Sequence, residues 1–504
     1  MRTGKNPNTD WELSAPDASA MIEALRGVGY SLPTALADIV DNSVSALARL
    51  VRIDFSWAGQ HSWVRVADDG HGMDAVELSS AMRLGAKHPL DTRDQRDLGR
   101  FGLGLKTASF SQCRRLTVAS SRHGQISIRR WDLDHIAKVR EWQLFMFAAP
   151  ESVNLINVDA AVAGTCVLWE VLDRVPGPYA ASRAKGEGAF LEAIDQVERH
   201  LAMVFHRYLS DQSRPLRILL NGVDIQPWDP FVERHPATIR RPVERLQTVN
   251  GPLEVQGFIL PHRDRLEGDQ WERAAGPDGW TAQQGFYVYR NRRLLVAGSW
   301  LGLGTGQAWT KEEAHKLARL RLDIENSSDG DWKIDIKKST ASPPQELRPR
   351  LRELAEDVRA EARRVFAHRG SYGTSRANAA LVHAWIAREV KGAVTYRIDR
   401  KHPVVSEVIS RTNDQAALLE AMLAVIEQTV PVQKIWLDAV EKGEVQGMVI
   451  GDAPSQDVST MLEAVYAGMR SRIGLPAAQA KHQLLCMEPF SRYPDLVNAL
   501  PEDN

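Results

Sequence analysis

The sequence predicts an α+β fold with three successive regions, and three observations lead to this prediction. Residues 1–180 alternate helical stretches with strand-like runs. Residues 181–345 begin with a long amphipathic helix and continue into a second set of strand-like runs, whereas residues 346–504 are mostly helical. The length of 504 residues agrees with this division, because a domain takes roughly 150 residues.

The composition is that of a globular protein with almost no net charge. Lys and Arg total 63 and Asp and Glu total 64, which excludes a broadly basic, histone-like nucleic-acid binder but permits a local basic surface. Three scattered cysteines are too few for a disulfide framework or a zinc cluster, which favours a reducing compartment. No apolar run reaches the length of a membrane span and the first residues are polar, so we expect a cytoplasmic protein without membrane contact.

The first elements follow from periodicity and turn residues. After a polar N-terminal arm, a helix is predicted near residues 18–26, and Pro33 begins a second one. Alternating polar and apolar residues predict strands at 51–57 and 62–68, with Gly59 in the turn between them.

The rest of the first region continues the same alternation. A short helix is expected after Asp74. Residues 85–98 are charged and lack an apolar period, which predicts a mobile loop. A helix is predicted to start near Gly102, followed by strands between residues 115 and 171.

The second and third regions contain strands and then helices. A helix is predicted over residues 186–209, followed by the strand-like runs LRILLNGVDI, LEVQGFIL, GFYVYRNRRLL and ARLRLDI. The helix that follows Pro344 mixes Arg with Glu and Asp, which favours a solvated or coiled face over a DNA-binding stripe. Residues 376–504 contain no motif that indicates a function.

Chemistry is first indicated by the segment ADIVDN, residues 37–42. Asp38 and Asn42 are four residues apart and therefore share one face of a helix. The Asn oxygen suits a Mg²⁺ ion that also holds nucleotide phosphates, and the carboxylate suits the activation of a water. The alternative is an amphipathic helix with a solvated polar face.

The second indicative segment is DDGHGMD, residues 68–74, directly after a predicted strand. It fits the pattern D-x-G-x-G with Asp68, Gly70 and Gly72. A carboxylate at a strand end can accept a hydrogen bond from the exocyclic amine of adenine, and glycines let the backbone approach a flat base. An ordinary turn is the alternative, because Asp and Gly are common turn residues.

The third segment is LGRFGLGLKTAS, residues 98–109. Its glycines follow G-x-x-G-x-G, the reverse of the dinucleotide fingerprint, and Leu105 separates Gly104 from Lys106, which excludes a P-loop. What remains is a glycine-rich loop that leads into a helix N-terminus, with Lys106 and Thr107 close behind. Backbone N–H groups, the helix dipole and a lysine at such a position favour bound phosphates.

In this order and spacing, the three segments resemble those of the Bergerat-fold, or GHKL, ATPases, the superfamily of gyrase B, MutL, histidine kinases, MORC and the heat-shock chaperones of this fold. The resemblance identifies ADIVDN as the N-box, DDGHG as the adenine box and GRFGLGLK as the phosphate lid. Gly164–Thr165 matches a further family feature, a Gly-Thr pair whose Thr hydroxyl would support Asp68 at the adenine. These features cover about residues 20–172 and imply a Bergerat-type α/β sandwich domain over residues 1–180.

The resemblance implies that ATP and Mg²⁺ bind here, with Asn42 on the metal and Asp38 as the residue that activates water. Most family members that hydrolyse ATP have Glu where this chain has Asp38, one methylene shorter, so we expect slow hydrolysis. The residues implied to contact the nucleotide are Asn42, Asp68, Gly70, Gly72, Met73, Gly99, Arg100, Phe101, Gly102, Leu103, Gly104, Leu105, Lys106 and Thr165.

The second region selects a branch of the superfamily. Only 37 residues precede Asp38, too few for the phosphoacceptor domain of a histidine kinase. GFYVYRNRRLL and DWKIDIKKSTASPP resemble the transducer domains of MORC proteins, so residues 181–345 are expected to form a transducer. Lys337 or Lys338 would then sense the terminal phosphate; the alternative is an ordinary exposed lysine pair. The run GYSLPTALADIVDNS is similar to the start of bacterial MORC-like ATPases, some of which are encoded beside nucleases in defence islands.

Together these features predict an ATPase that dimerises on binding ATP and acts on DNA or on a nuclease partner in genome defence or repair. The alternative is a chaperone-like or scaffolding protein in which ATP binding gates a protein partner without DNA. The near-zero net charge and Asp38 keep this alternative open.

Overall fold

A computed structural model of the chain divides it into two compact units, residues 1–373 and 374–504. None of the helices that the model describes is long and apolar enough to cross a membrane. The described residues are 14, 16–27, 29–85, 104–156, 158–175, 183–248, 251–325, 328, 331–335, 340–367, 382–390, 393–411, 415–431, 456–471, 474–487 and 490–502.

Capping residues start several helices of the first unit. Asp17 accepts a hydrogen bond from Ala20 N at 2.9 Å, and the side chain of Ser31 accepts one from Thr34 N at 3.4 Å, with Pro33 in the first helical turn. The helices before the second sheet are α1 Ala18–Arg26, α2 Leu32–Ser45, α3 Ala75–Met82, α4 Gly104–Phe110, α5 Leu133–Val139, α6 Arg183–Val204 and α7 His206–Leu209.

Seven strands form the first sheet of this unit. They are β1 Leu50–Ser56, β2 Trp63–Asp68, β3 Arg115–Arg122, β4 Gln125–Asp132, β5 Gly164–Glu170, β6 Arg217–Leu220 and β7 Val223–Asp224. Their order is β4-β3-β5-β2-β1-β6-β7, and all neighbours are antiparallel except β1 and β6. Asp68 ends β2 in register with Thr165 of β5, so the adenine box and the Gly-Thr pair lie side by side.

One hydrophobic core joins this sheet to its helices. Leu36, Ile39 and Val40 of α2 belong to the same buried cluster as Val51 and Val66 of the sheet. Each such side chain contributes about 1.5–3 kcal/mol when it is fully buried. The packing holds α2, which carries Asp38 and Asn42, at a defined position on the sheet.

The second sheet follows in the chain and has its own core. Its strands are β8 Ile239–Arg240, β9 Glu244–Thr248, β10 Gly251–Ile259, β11 Gly285–Arg290, β12 Arg293–Ser299 and β13 Ala318–Ile324, in the order β12-β11-β13-β10-β8, with β9 also paired to β10. The α+β character predicted from the sequence is thus confirmed in both sheet regions. The remaining helices of the first unit include α8 Gln270–Ala275, α9 Gly279–Ala282 and α10 Arg348–Ala367.

Helix α10 packs on the second sheet through one apolar face. Leu351, Ala355, Val358, Ala362 and Val365 are all part of the second sheet's core. The sequence analysis put this helix in the C-terminal region that starts at residue 346, but here it lies within the first compact unit.

The second unit is mostly helical, as predicted, and also contains a two-stranded hairpin. Strand Trp385–Val390 pairs antiparallel with strand Ala393–Ile398. Leu462, Leu484 and Phe490 are among the residues that form its core. Its helices are Pro403–Arg411, Ala416–Thr429, Gln456–Ser471, Ala477–Leu485 and Pro494–Asn498.

Candidate functional site

Asp38 and Asn42 lie one turn apart on α2 in different environments. Asn42 is exposed, and its side chain bonds none of the residues that the structure describes. Asp38 is only 4% exposed, and its Oδ2 accepts a hydrogen bond from the Tyr30 hydroxyl at 2.8 Å. A Cβ atom placed on Gly104 would lie 3.6 Å from the same oxygen, so the start of α4 lies beside this carboxylate.

Tyr30 keeps its proton in this arrangement. Burial and the neighbouring Asp38 carboxylate raise the pKa of Tyr30 far above its usual range. A neutral tyrosine can only donate to the ionised carboxylate, so Tyr30 fixes the orientation of Asp38. Sequence analysis missed Tyr30, although it begins the YSLPTALADIVDN segment eight residues before Asp38.

The second sheet contributes a buried guanidinium to the same helix. Arg293 Nε lies 3.2 Å from both carboxylate oxygens of Asp41, and Arg293 Nη2 lies 3.8 Å from Asp38 Oδ1. Arg293 Nη1 also donates to the carbonyl of Leu294 at 2.8 Å. Arg293 and Asp41 are 3% and 2% exposed, so water screens this ion pair little.

The local backbone explains why Arg293 points to this place. A two-residue turn joins β11 to β12, and both of its residues have positive φ, 47° at Asn291 and 70° at Arg292. Such turns match the twist of paired strands. The turn makes Arg293 the first residue of β12, at the end of the strand that reaches α2.

His200 of α6 interacts electrostatically with both Asp41 and Arg293. Desolvation by the surrounding protein, and then the Arg293 guanidinium, lower the pKa of His200 to about 4, while Asp41 opposes the shift. The ring is therefore neutral at pH 7. The sequence shows His200 only as a polar position on a long amphipathic helix, which gave no signal of this role.

Asp68 is held by three donors at the end of β2. Ser43 Oγ donates to Oδ2 at 2.8 Å, the Gly70 N–H donates to Oδ1 at 2.9 Å, and the Thr165 N–H donates as well. Desolvation by burial raises the pKa of Asp68, and these three hydrogen bonds oppose that shift. Asp68 as a residue is partly exposed.

Two glycines allow the backbone to pass closely around Asp68. Gly72 has φ +66°, and a Cβ atom there would lie 1.9 Å from the Ser121 carbonyl oxygen. A Cβ atom on Gly164 would lie 2.3 Å from the Asp68 carbonyl oxygen. Any larger residue at either position would push the adenine box away from the sheet.

Ser120 on β3 ties the adenine box to the Gly-Thr pair. Its hydroxyl donates to the Gly164 carbonyl at 3.0 Å, accepts from Met73 N at 2.8 Å, and lies 2.9 Å from the Thr165 hydroxyl. The Thr165 hydroxyl therefore bonds Ser120, and Thr165 supports Asp68 through its N–H group. A serine in a strand carries no sequence motif, which is why this residue was missed.

Only part of the phosphate lid lies among the residues that the structure describes. Gly99 to Leu103 lie outside the described residues, whereas Gly104, Leu105 and Lys106 begin α4. Lys106 is 3% exposed, and its Nζ donates to the Ala81 carbonyl at 2.8 Å. In this conformation, the lysine bonds the last turn of α3.

Lys337 and Lys338 also lie outside the described residues. Asp335, two positions before Lys337, accepts a hydrogen bond from Thr340 N at 2.9 Å, and its charge contributes to the raised pKa of Tyr30. The segment from the second sheet region therefore comes close to the Tyr30 end of the site.

Comparisons with known proteins agree with this geometry. Residues 30–165 match the family model described as "Histidine kinase-, DNA gyrase B-, and HSP90-like ATPase". The chain is also similar to "ATPase morc-1" of Caenorhabditis elegans, with 32% identity over 94 residues, which is 19% of this chain and 11% of that protein. The chain thus spans about a tenth of the length of this curated relative.

Proposed function

Residues 30–165 form an ATPase domain of the GHKL superfamily with similarity to MORC ATPases, and we propose that the chain is an ATP-driven switch. It binds ATP with Mg²⁺, dimerises in the ATP-bound state, hydrolyses ATP slowly and acts on DNA or on a nuclease partner in genome defence or repair. The observation that carries the proposal is the buried contact of Arg293 with Asp41, which links the second sheet to the helix that holds the candidate base.

Adenine recognition is assigned to Asp68. Its carboxylate can accept a hydrogen bond from the exocyclic amine, and a new donor to the ionised form would lower the pKa that burial has raised. Gly70, Gly72 and Met73 are assigned to the surface on which the base rests, and Thr165 to the support of Asp68 through its N–H group. Gly99 to Lys106 are assigned to the phosphates.

The residues present fit a Mg²⁺ ion. Asn42 offers an exposed amide oxygen, a ligand that this hard cation accepts. Among the described residues there is no group of three His, Cys, Asp or Glu side chains able to hold a metal unaided. Asn42 would therefore hold the ion together with phosphate oxygens, and the bound ion would offset the phosphate charge.

Asp38 is assigned to the activation of water. Tyr30 bonds Oδ2, and Arg293 lies near Oδ1, so the carboxylate is oriented but both of its oxygens are already in contact with other groups. This supports slow turnover, because the attacking water must compete with Tyr30 or approach along another direction. Lys337 or Lys338 is assigned to sensing the terminal phosphate.

Nucleotide binding, turnover and sizing chromatography on one preparation test the proposal. We expect Mg²⁺-dependent ATP binding, slow phosphate release and a shift to a dimer with a non-hydrolysable ATP analogue. Asn42→Ala should lose the Mg²⁺-dependent part of binding, whereas Asn154→Ala, at an exposed position in the same sheet region, should bind as the wild type does. Absence of ATP binding by the wild type would refute the ATPase proposal, and a monomer in every nucleotide state would refute the switch.

A further inference from the structure

A glycine-rich loop and an arginine-rich helix face form a groove on the second sheet region. The loop comprises residues 302–309 after β12, and the helix is α10. None of these residues belongs to the candidate nucleotide site. We call this feature the arginine groove.

The loop is tight and exposes its backbone. Gly302 and Gly306 have positive φ angles of 66° and 82°, and the Trp309 N–H donates to the Leu303 carbonyl at 2.8 Å. A Cβ atom on Gly304 would lie 1.8 Å from the Gln307 carbonyl oxygen. Small residues are therefore required for the loop to close against the helix.

Four arginines of helix α10 share one face of the helix. Four arginines at spacings of four, seven and four residues lie within about 60° of one another around an α-helix. They are Arg348, Arg352, Arg359 and Arg363. From the interleaved charges, the sequence predicted a solvated or coiled face. The helical spacing of these four arginines instead places them together beside the loop.

Two carboxylates of the helix are paired with arginines outside this face. Glu353 pairs with Arg350 at 2.8 Å, and Glu361 pairs with Arg241 at 2.5 Å. Glu356 does border the groove, where it accepts the Thr305 hydroxyl at 2.7 Å. The described residues provide no ion pair to any of the four groove arginines.

Two cavities lie along this face, on either side of the loop. One has a volume of about 570 Å³ and is lined by Trp309, His315, Arg359, Arg363 and Arg364, among others. The second has about 420 Å³ and is lined by the loop, Arg348 and Arg352. The groove thus offers cationic donors at both ends.

Arg359 lines the larger cavity and is held in place by two aromatic rings. Its guanidinium lies 4.8 Å from the ring centre of Trp300 and 4.5 Å from that of Trp309. The side chain is only 9% exposed, and its Nη1 has no hydrogen-bond partner among the described residues. Two tryptophans therefore hold a buried cation, one nitrogen of which meets no hydrogen-bond acceptor in the part of the chain that the structure describes.

We propose that the arginine groove binds the phosphate backbone of nucleic acid. Guanidinium groups match phosphate geometry, and these contacts carry no sequence information. Arg348 and Arg363 are fifteen residues apart on α10, about 22 Å, which corresponds to roughly six phosphates of one strand. A single phosphate or a nucleotide would fill only one cavity. The inference rests on the proposed action on DNA and names the surface that performs it.

The test is binding of a labelled duplex by the full chain over a salt series, with and without a non-hydrolysable ATP analogue. Four phosphate contacts predict a log–log salt slope of about −3.6. Arg352→Ala/Arg363→Ala removes two cations that form no ion pair with any described residue, so the slope should weaken by about two. ATP affinity should not change in this variant.

A matched control removes the same charge elsewhere in the second sheet region. Arg350→Ala/Arg245→Ala deletes two exposed arginines that lie outside the groove and are paired with Glu244 and Glu254. The control should bind DNA as the wild type does. Equal losses in both double variants would overturn the groove, because overall charge would then explain binding.

Two further outcomes would overturn the assignment in distinguishable ways. Displacement of the duplex by inorganic phosphate at matched ionic strength would reassign the groove to small anions. Absence of DNA binding by a wild type that binds ATP would refute the groove and the DNA part of the proposed function, while the ATPase part would stand.

Discussion

The two ends of the candidate nucleotide site are built in different ways. At the adenine end, Asp68 is held by Ser43, Gly70 and Thr165, all within the first sheet region and its helices. At the phosphate end, Asp41 and Asp38 meet Arg293, which is 252 residues from Asp41 in the chain. The first end is a self-contained recognition site, and the second depends on the neighbouring domain.

The difference shows where a switch can be placed in such a fold. A network of neutral donors around Asp68 needs nothing from the second sheet, so base recognition should survive movements of that sheet. The Arg293–Asp41 pair, in contrast, exists only while β12 lies against α2. Under the proposed function, this pair is the contact through which a change of nucleotide would reach the second sheet.

The largest predicted effect comes from breaking the buried pair. Arg293→Met removes the guanidinium that contacts the buried Asp41 carboxylate, which should lower the free energy of unfolding of the first unit by about 3–5 kcal/mol. Urea unfolding followed by tryptophan fluorescence measures the loss. Amide exchange in α2 should rise at the same time.

Two matched variants make this prediction specific. Arg292→Ala removes the adjacent arginine, which is half exposed and paired with Asp211, and should lower stability by less than about 1 kcal/mol. Arg293→Met/Asp41→Leu removes both charges and should recover most of the loss. Failure of the double variant to recover would mean that the arginine acts through other contacts.

The same contrast explains what the sequence could predict. The N-box, the adenine box and the Gly-Thr pair are short segments that local sequence identifies, and their assignment to nucleotide contacts stays a prediction. The structure places Asp68 in register with Thr165. Helix α1 has the predicted bounds of residues 18–26, because its capping residue and apolar spacing are local. Tyr30, Ser120 and Arg293 could not be assigned, because their roles arise only when distant elements pack.

At the adenine end, Asp68→Asn should weaken ATP binding by about 10- to 150-fold. The amide presents an N–H group where the carboxylate accepts, and charge-assisted hydrogen bonds contribute about 1.5–3 kcal/mol. Calorimetric titration with a non-hydrolysable analogue measures the change. Asp69→Asn, an exposed neighbour that accepts from the N–H groups of Arg49 and Leu50, should bind as the wild type does. Equal affinity of the Asp68 variant would place adenine elsewhere.

Ser120→Ala tests the link between the adenine box and β5. It leaves Met73 N and the Thr165 hydroxyl without their partner, so ATP affinity should fall by about tenfold, or 1.4 kcal/mol. Thr117→Val on the same strand is the control, because the Thr117 hydroxyl is buried and has no partner among the described residues. If both variants bind alike, the hydroxyl of Ser120 is not part of the adenine support.

The smallest predicted effect is a pH dependence at the phosphate end. Because the pKa of His200 is about 4 in the folded chain and about 6.5 when unfolded, the unfolded chain takes up the proton first as the pH falls. This residue therefore does not reduce the free energy of unfolding above pH 6.5. Between pH 6.5 and 4, protonation of His200 in the unfolded chain lowers the free energy of unfolding. This pKa difference corresponds to a loss of about 2 kcal/mol in the free energy of unfolding at pH 5. Solvent screening at the partly exposed ring reduces the expected loss to about 1 kcal/mol.

His200→Gln removes this titration while keeping a polar side chain of similar length. Between pH 7 and pH 5, the free energy of unfolding of the wild type should fall by about 1 kcal/mol more than that of the variant. His61→Gln, at an exposed position, should follow the wild type over the same range. A difference that does not change with pH would mean that His200 is not desolvated beside Arg293, and the charged group around Asp41 would then be open to water.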